Sequence, residues 1–480
     1  MQVRDLEPKK LWNNFEDLNT VPRPSKKEER IIKYVKEFGE KLNLDTYVDQ
    51  IGNVIIKKSA TAGLENRKTI ILQSHLDMVH QKNSDTDFDF DTQGIISYID
   101  GDWVKAKGTT LGADNGIGVA SMLAILESSD IEHPNLECLF TIDEETGMTG
   151  AFNLETGILD GEILLNLDTE DHDEFSIGCA GGVDTNVSYE YTTTIPSDNA
   201  KAYSIVIKGL KGGHSGVDID LERGNANKIM NRFMVGMEQY GLQISEINGG
   251  SLRNAIPRES FAVITIDNDD YLTVFEDIAN KIKAEYANTD ADMSIEISAT
   301  EMPKEVMAMG DVEKLTNAIL AVHNGVFKVS TAIANLVETS SSLARIIIKN
   351  GTFEMQSLQR SSVDSAKDDV AGTVAAPFRL IGANVEHTGS YPGWAPNPKS
   401  EILELMESKY TASFGEKPKV TAIHAGLECG LLGKKYPNVD MISFGPTIRN
   451  PHSPDEKCNI PSVVKFWGFL IDILKDAPAK

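Results

Sequence analysis

The stretch Leu139-Phe140-Thr141-Ile142-Asp143-Glu144-Glu145-Thr146-Gly147 runs from an apolar segment straight into three consecutive carboxylates and a glycine. Adjacent acids repel, so a fold tolerates them in a solvated loop or beside a cation. With a metal as that cation, Glu145 is suited to bind it while Glu144 stays free to move a proton. Read alone, an acidic surface turn is the simpler account, and the segments around it decide.

Working outward, two more apolar runs end in polar groups of the same kind. Residues 69–74 lead into His75-Leu76-Asp77, and residues 163–167 lead into Asp168. Asp114-Asn115-Gly116 opens a helix expected over 116–127. The spacing also predicts helices over 11–18 and from a Ser25/Glu28 capping box to Leu42, and a hairpin over 46–57 turning at Gly52-Asn53. Apolar strands alternating with helices predict an α/β fold with a mostly parallel sheet flanked by helices. In such sheets ligands bind beyond the carboxyl ends of the strands, which is where these polar groups fall.

From about residue 181 the pattern becomes alternating strands (202–207, 261–267, 293–299, 343–349, 352–357) interleaved with helices (222–240, 271–286, 312–323, 363–381), an α+β texture. A Gly- and Pro-rich return linker over 389–398 precedes a helix over 399–410 and strands over 420–423 and 440–444. The expected organisation is a catalytic domain built from 1–180 and 395–480, with an α+β domain, 181–394, inserted into it.

The chain has 480 residues, enough for two cores, and its acids outnumber its bases 72 to 46 for a formal charge of -26. That charge argues against nucleic acid and anionic membrane surfaces as partners. No apolar leader and no membrane-length run is visible, so a cytoplasmic location is expected. Cys138, Cys179, Cys429 and Cys458 form no CxxC pair and read as ordinary thiols.

The candidates are therefore His75, Asp77, Asp114, Glu144, Glu145, Asp168 and His452, the last in Asn450-Pro451-His452-Ser453-Pro454. Two imidazoles and three carboxylates exceed one tetrahedral zinc but fit two neighbouring metals if one carboxylate bridges, and Asp114 is the natural bridge. Asp77, two residues from His75, would support the imidazole. Glu144 would take a proton from the attacking water and pass it to a leaving amine, which is amide hydrolysis. Taken singly, Asp114 reads as a helix cap and His452 as a turn histidine. His80, His133, His172, His323 and His387 read as loop or surface residues.

Ser74-His75-Leu76-Asp77, Gly112-Ala113-Asp114-Asn115-Gly116, Asp143-Glu144-Glu145-Thr146-Gly147, Asn166-Leu167-Asp168 and Pro451-His452-Ser453 together resemble the motifs of metallopeptidase family M20, in order along the whole chain. Within it the resemblance is to the bacterial dipeptidase branch. It implies a zinc-peptidase-like catalytic domain with two zinc ions bridged by Asp114, one also held by His75 and Asp168, the other by Glu145 and His452. Manganese or cobalt would suit the same ligands. It further implies Glu144 as general base, Asp77 in support, and a cis Asp114–Asn115 peptide.

The inserted domain resembles the family's lid. Gly212-Gly213-His214-Ser215-Gly216 would bring His214 to the oxyanion, while Asn254 and Arg360 would hold the substrate carboxylate. Gly426-Leu427-Glu428-Cys429-Gly430 resembles a pocket-lining segment. The implied activity is hydrolysis of unblocked dipeptides, including Xaa-His. A tripeptidase, an N-acyl amino acid deacylase and a carboxypeptidase are the alternatives within the family. From another class stands a catalytically silent metal-binding scaffold, against which the completeness of ligands and base counts. A homodimer through the lid is also implied, with His214 serving its own or its partner's site.

Overall fold

Each of the three largely apolar runs that lead to a candidate residue forms a central strand with no exposed residue. The computed structural model describes residues 2–268 and 270–480. The chain divides into two compact units, one formed by the residues up to Gly178 with Pro396–Ala422 and Leu427–Lys480, the other by Cys179–Ala395 with Ile423–Gly426.

In the first unit the main sheet contains β1 (Asp45–Val48), β2 (Val54–Lys58), β3 (Ile70–His75), β4 (Leu136–Thr141), β5 (Ile163–Asn166), β6 (Glu174–Cys179), β7 (Lys419–Ile423) and β8 (Asp440–Ser443). Their order is β1-β2-β4-β3-β5-β8-β6-β7. Strands β4, β3, β5 and β8 run parallel, while β1, β2 and β6 pair antiparallel at the flanks. The parallel character is thus concentrated at the centre. There β3, β4 and β5 carry no exposed residue, as covering on both faces requires.

The helix Ala113–Leu126 is buried on every side except at Asp114. Helix Lys9–Asn19 directs Leu11, Trp12, Phe15 and Leu18 inward, with Trp12 and Phe15 edge to face at 5.8 Å. The β1–β2 turn is tied by Asp49, whose Oδ1 accepts the N–H groups of Ile51, Gly52 and Asn53. Asn53 in turn donates to Gly150 O and accepts from Ile142 N, bracing the residues on either side of the acidic triplet.

Two local expectations are corrected. Ser25 does not cap a helix; Glu29–Lys41 begins after Glu28, and the Ser25 hydroxyl donates instead to Asp77 Oδ2 at 2.8 Å. His133 is not a surface residue but fully buried, its Nδ1 paired with Pro134 O at 2.8 Å. All four cysteines are buried.

The second unit is organised on one nine-stranded antiparallel sheet. Residues Val337–Lys349 form its longest strand, paired with Thr352–Ser361 on one side and with Gln243–Gly249 and Gly325–Val329 on the other. Helices Ala226–Met237, Tyr271–Glu285, Met309–Ala321 and Asp364–Leu380 contribute Phe233, Phe275, Leu315 and Phe378 to a single core with the sheet. Strand Asn384–Tyr391 occupies part of the segment expected as linker. Thr339 to Ser342 are all buried although polar, Thr339 bonded to the Ser361 hydroxyl and Ser341 to Ser357 and Gln359. Hydroxyls at core positions are what hid this half of the strand from a reading based on apolar alternation.

Candidate active site

The carboxyl ends of β3, β4 and β5 deliver His75, the acidic triplet and Asp168 to one place in the first unit. His75 is the last residue of β3, and its Nε2 lies 3.1 Å from Asp114 Oδ1 and 3.5 Å from Asp168 Oδ1. The other oxygen of Asp114, Oδ2, lies 3.4 Å from His452 Nε2, which is 2.8 Å from Glu145 Oε2. Asp114 therefore stands between two imidazoles, one on each oxygen.

Asp114 and His452 do not themselves end strands of the sheet. Asp114 sits in a non-helical first turn, preceded by Gly112 at φ 69 and followed by Asn115 through a cis peptide. It caps nothing. His452 lies at φ 61 in the turn between the short strands Ile448–Arg449 and Lys457–Asn459, which belong to a separate four-stranded sheet.

The three acids part company. Asp143, at φ 51, is held by the hydroxyls of Thr146 and Thr149. Glu145 turns to His452, while Glu144 is half-buried, its backbone N–H donating to Asp77 Oδ1 at 3.0 Å. Asp77 also accepts from Glu145 N and Ser25 Oγ. The His75 Nδ1 hydrogen bond goes to the backbone carbonyl of Asp77 at 3.1 Å, its carboxylate lying 3.4 Å away. Asp77 thus orients the imidazole through its main chain and anchors the acidic turn through its side chain.

Charge in this cluster is unbalanced toward acid. Burial disfavours the charged imidazole of His75, but Asp168, Asp114 and Asp77 together raise it well above its ordinary value. His452, hydrogen-bonded to Asp114 and Glu145, is raised to about 11. Burial, with Asp168, Glu428 and Glu145 nearby, drives the Glu144 carboxyl well above the usual range. Burial likewise raises Glu145, and Asp168 to about 6. Asp114 moves the other way: burial opposes its ionisation, and the two histidines outweigh it. Among the described residues, His75, Asp114 and Glu145 offer ligand atoms all within 4.8 Å of one another. Glu145 Oε1 and Asp168 Oδ1 are buried without a hydrogen-bond partner. Glu428 is buried beside them, one oxygen taken by Gln73 and Thr141 and the other unpartnered.

In the second unit, His214 Nδ1 accepts the N–H groups of Gly216 and Val217 at 3.2 and 3.1 Å, which leaves the ring proton on Nε2. That Nε2 faces Arg360 Nη2 at 3.4 Å, two donors converging with no acceptor between them. Arg360 is 4% exposed; its Nη1 donates to Tyr391 Oη at 2.9 Å and its Nε has no partner. Asn254 is exposed and holds Ser215 N through its carbonyl.

Some residues in each unit escaped sequence reading. His424, which burial lowers to about 3, pairs its Nε2 with Ser340 Oγ at 2.7 Å and carries the carbonyl against which Gly216 packs. Tyr391, Arg23 and Glu456 have no motif of their own, and only their distant partners give them meaning.

The family model described as Peptidase family M20/M25/M40 matches residues 71–476. The chain belongs to the M20 family. The match begins just before His75 and extends past His452. The chain is 41% identical over 484 residues to the cytosol non-specific dipeptidase of Escherichia coli strain K12, with 100% of both chains covered. Among solved structures, the aminoacylhistidine dipeptidase from Vibrio alginolyticus superposes with a TM-score of 0.96 at 44% identity, covering 100% of this chain and 99% of that one. The aminopeptidase PepT from Bacillus cereus shares the M20 fold more distantly, with a TM-score of 0.58 at 16% identity over 98% of this chain and 99% of that one.

Proposed function

We propose that this chain is a metal-dependent dipeptidase that hydrolyses unblocked dipeptides, Xaa-His among them, with Glu144 as general base. One observation carries the reading: Asp114 offers its two oxygens to two different imidazoles, and each imidazole has a further carboxylate against it. The donors thus divide into two half-sites, His75 with Asp168 and His452 with Glu145, sharing Asp114.

The residues fit a pair of divalent cations. A buried cluster with more carboxylates than cations, two of whose oxygens lack any hydrogen-bond partner, is what ligation by a cation satisfies. Two imidazoles with three carboxylates suit zinc, and manganese or cobalt as well. When bound, the metals supply polarisation of the scissile carbonyl and a lowered pKa for the attacking water.

The rest is work for side chains. Glu144, held by its backbone to Asp77, takes the proton of the attacking water and delivers it to the leaving amine. We assign His214 to the oxyanion, because its Nε2 is a committed donor, and the second unit to the role of lid. Arg360 and Asn254 are assigned to the substrate carboxylate; a buried guanidinium with an unpartnered Nε supports this for Arg360. The names of the E. coli and Vibrio relatives support dipeptides as the substrate class, and that of the E. coli relative supports the cytosol as the location. Among the described residues no helix is long and apolar enough to cross a membrane.

The test is hydrolysis of Ala-His, β-Ala-His, Ala-Ala, a tripeptide and an acetylated amino acid by protein stripped of metal and refilled with zinc or manganese. Metal-dependent turnover confined to the free dipeptides is expected. Turnover of the acetylated compound alone would make the protein a deacylase. No turnover with either metal would make it a scaffold.

A further inference from the structure

The start of the helix that carries Asp114 is capped from the far end of the chain. Glu456 Oε2 accepts the N–H groups of Leu111 and Gly112 at 2.6 and 2.9 Å, and Oε1 accepts those of Ala113 and Asp114 at 2.8 and 3.2 Å. These N–H groups lead into the helix and have no partner within it. The chain has no local acid to spare for them: Gly112 has no side chain, and the Asp114 carboxylate is committed to the two histidines. Glu456 is 2% exposed, and both of its side-chain oxygens are committed to this loop.

Glu456 also closes the turn that bears His452. Its N–H donates to Ser453 O at 2.9 Å, and Asp455 N donates to Ser453 Oγ at 3.1 Å. The His452 side chain is 53% exposed, so the ring is held by Glu145 and Asp114 and by the turn that carries it rather than by packing. The same loop is gripped from its other side by buried Arg23, whose Nη2 donates to Gly112 O at 2.6 Å while Nη1 reaches Leu76 O and Asp77 O. The Asp114 loop is thereby bolted to the His75 segment by Arg23 and to the His452 turn by Glu456.

We infer that Glu456 is a positioning residue that sets the half-site of His452 and Glu145 by locking the His452 turn onto the Asp114 loop. This rests on the two-metal reading given above. A residue that merely capped the helix would act on both half-sites alike, because Asp114 belongs to both. A residue that fixes the His452 turn acts on one.

The test uses zinc alone, titrated into stripped full-length wild type, E456Q, E456D, H452A and E456Q/H452A, with folding followed by circular dichroism. In E456Q one of two zinc equivalents should weaken about 10–100-fold, the usual effect of losing a residue that orients a ligand, while the other holds. The double variant should lose no more than H452A alone, and kcat for Ala-His at saturating zinc should fall further than KM changes. Should E456Q fail to fold, E456D, which keeps the charge but shortens its reach, carries the same readout. Equal weakening of both equivalents, or of neither, would overturn the inference and leave the two-metal reading standing. A wild-type protein that holds no zinc would overturn both.

Discussion

Loading the site with metal must expel protons, and the geometry sets how many. In the metal-free protein His452, between Asp114 and Glu145, holds its proton up to about pH 11, and His75, pressed by Asp168, Asp114 and Asp77, holds its own well above the ordinary value. Both imidazoles are therefore cationic at pH 7, yet each must be neutral to coordinate. Two zinc ions should release about two protons from these histidines, plus any given up by bound water and by the raised carboxyls of Glu144 and Glu145. Because each ring competes for zinc with one proton, the apparent affinity of each equivalent should rise about tenfold per pH unit between roughly pH 6 and 8. Below that window Asp168, at about 6, begins to add a third proton. Calorimetric titration of stripped protein in two buffers of different ionisation enthalpy counts the protons directly. His452→Ala should lower the count by one. Release of less than one proton per chain, or an affinity that does not change with pH, would refute the assignment of the two imidazoles.

Further outcomes follow from the second unit. A Cβ on Gly216 would lie 2.1 Å from the His424 carbonyl and 3.0 Å from Arg360 Cδ and Nε. Gly216→Ala should therefore cost about 1–3 kcal/mol as overpacking and raise KM for dipeptides more than it lowers kcat; an unchanged Tm and KM would contradict this. His424 is held neutral, its pKa lowered to about 3 chiefly by burial and then by Arg360. Since the unfolded state takes up that proton near pH 6.5, the contribution of His424 is intact above that pH and is lost as pH falls toward 3, about 2 kcal/mol by pH 5. The urea midpoint of wild type should accordingly drop further between pH 7 and 5 than that of His424→Asn. Equal drops would refute it.

Much of the catalytic unit was legible in the sequence because its strands announce themselves. Residues 69–74, 136–142 and 163–167 are mostly apolar, broken only by polar residues such as Gln73, Glu137 and Asn166, as suits strands covered on both faces, and each leads toward a candidate residue. A bridging Asp114 between two metals followed from counting ligand types, and the division of His75 and His452 between them from the family resemblance. What remained hidden depends on partners far apart in the chain. Glu456 reads as one more acid in an acidic protein until four N–H groups at 111–114 are seen to point at it. Ser25 and Glu28 have capping-box spacing, but the hydroxyl is drawn to the Asp77 carboxylate, a stronger acceptor than a backbone terminus offers a donor. His424 was overlooked because nothing next to it in sequence marks it; its neighbours Ser340 and Arg360 come from two strands of the second sheet.

The division of labour between Glu144 and Glu145 is the centre of the account, and Glu144→Gln tests it most directly. Measured on the same preparation, metal content should stay at the wild-type level while hydrolysis of Ala-His falls by about 10²–10⁴, the contribution typical of a general base. Loss of metal in step with activity would make Glu144 a ligand, and retention of activity would remove it from the chemistry.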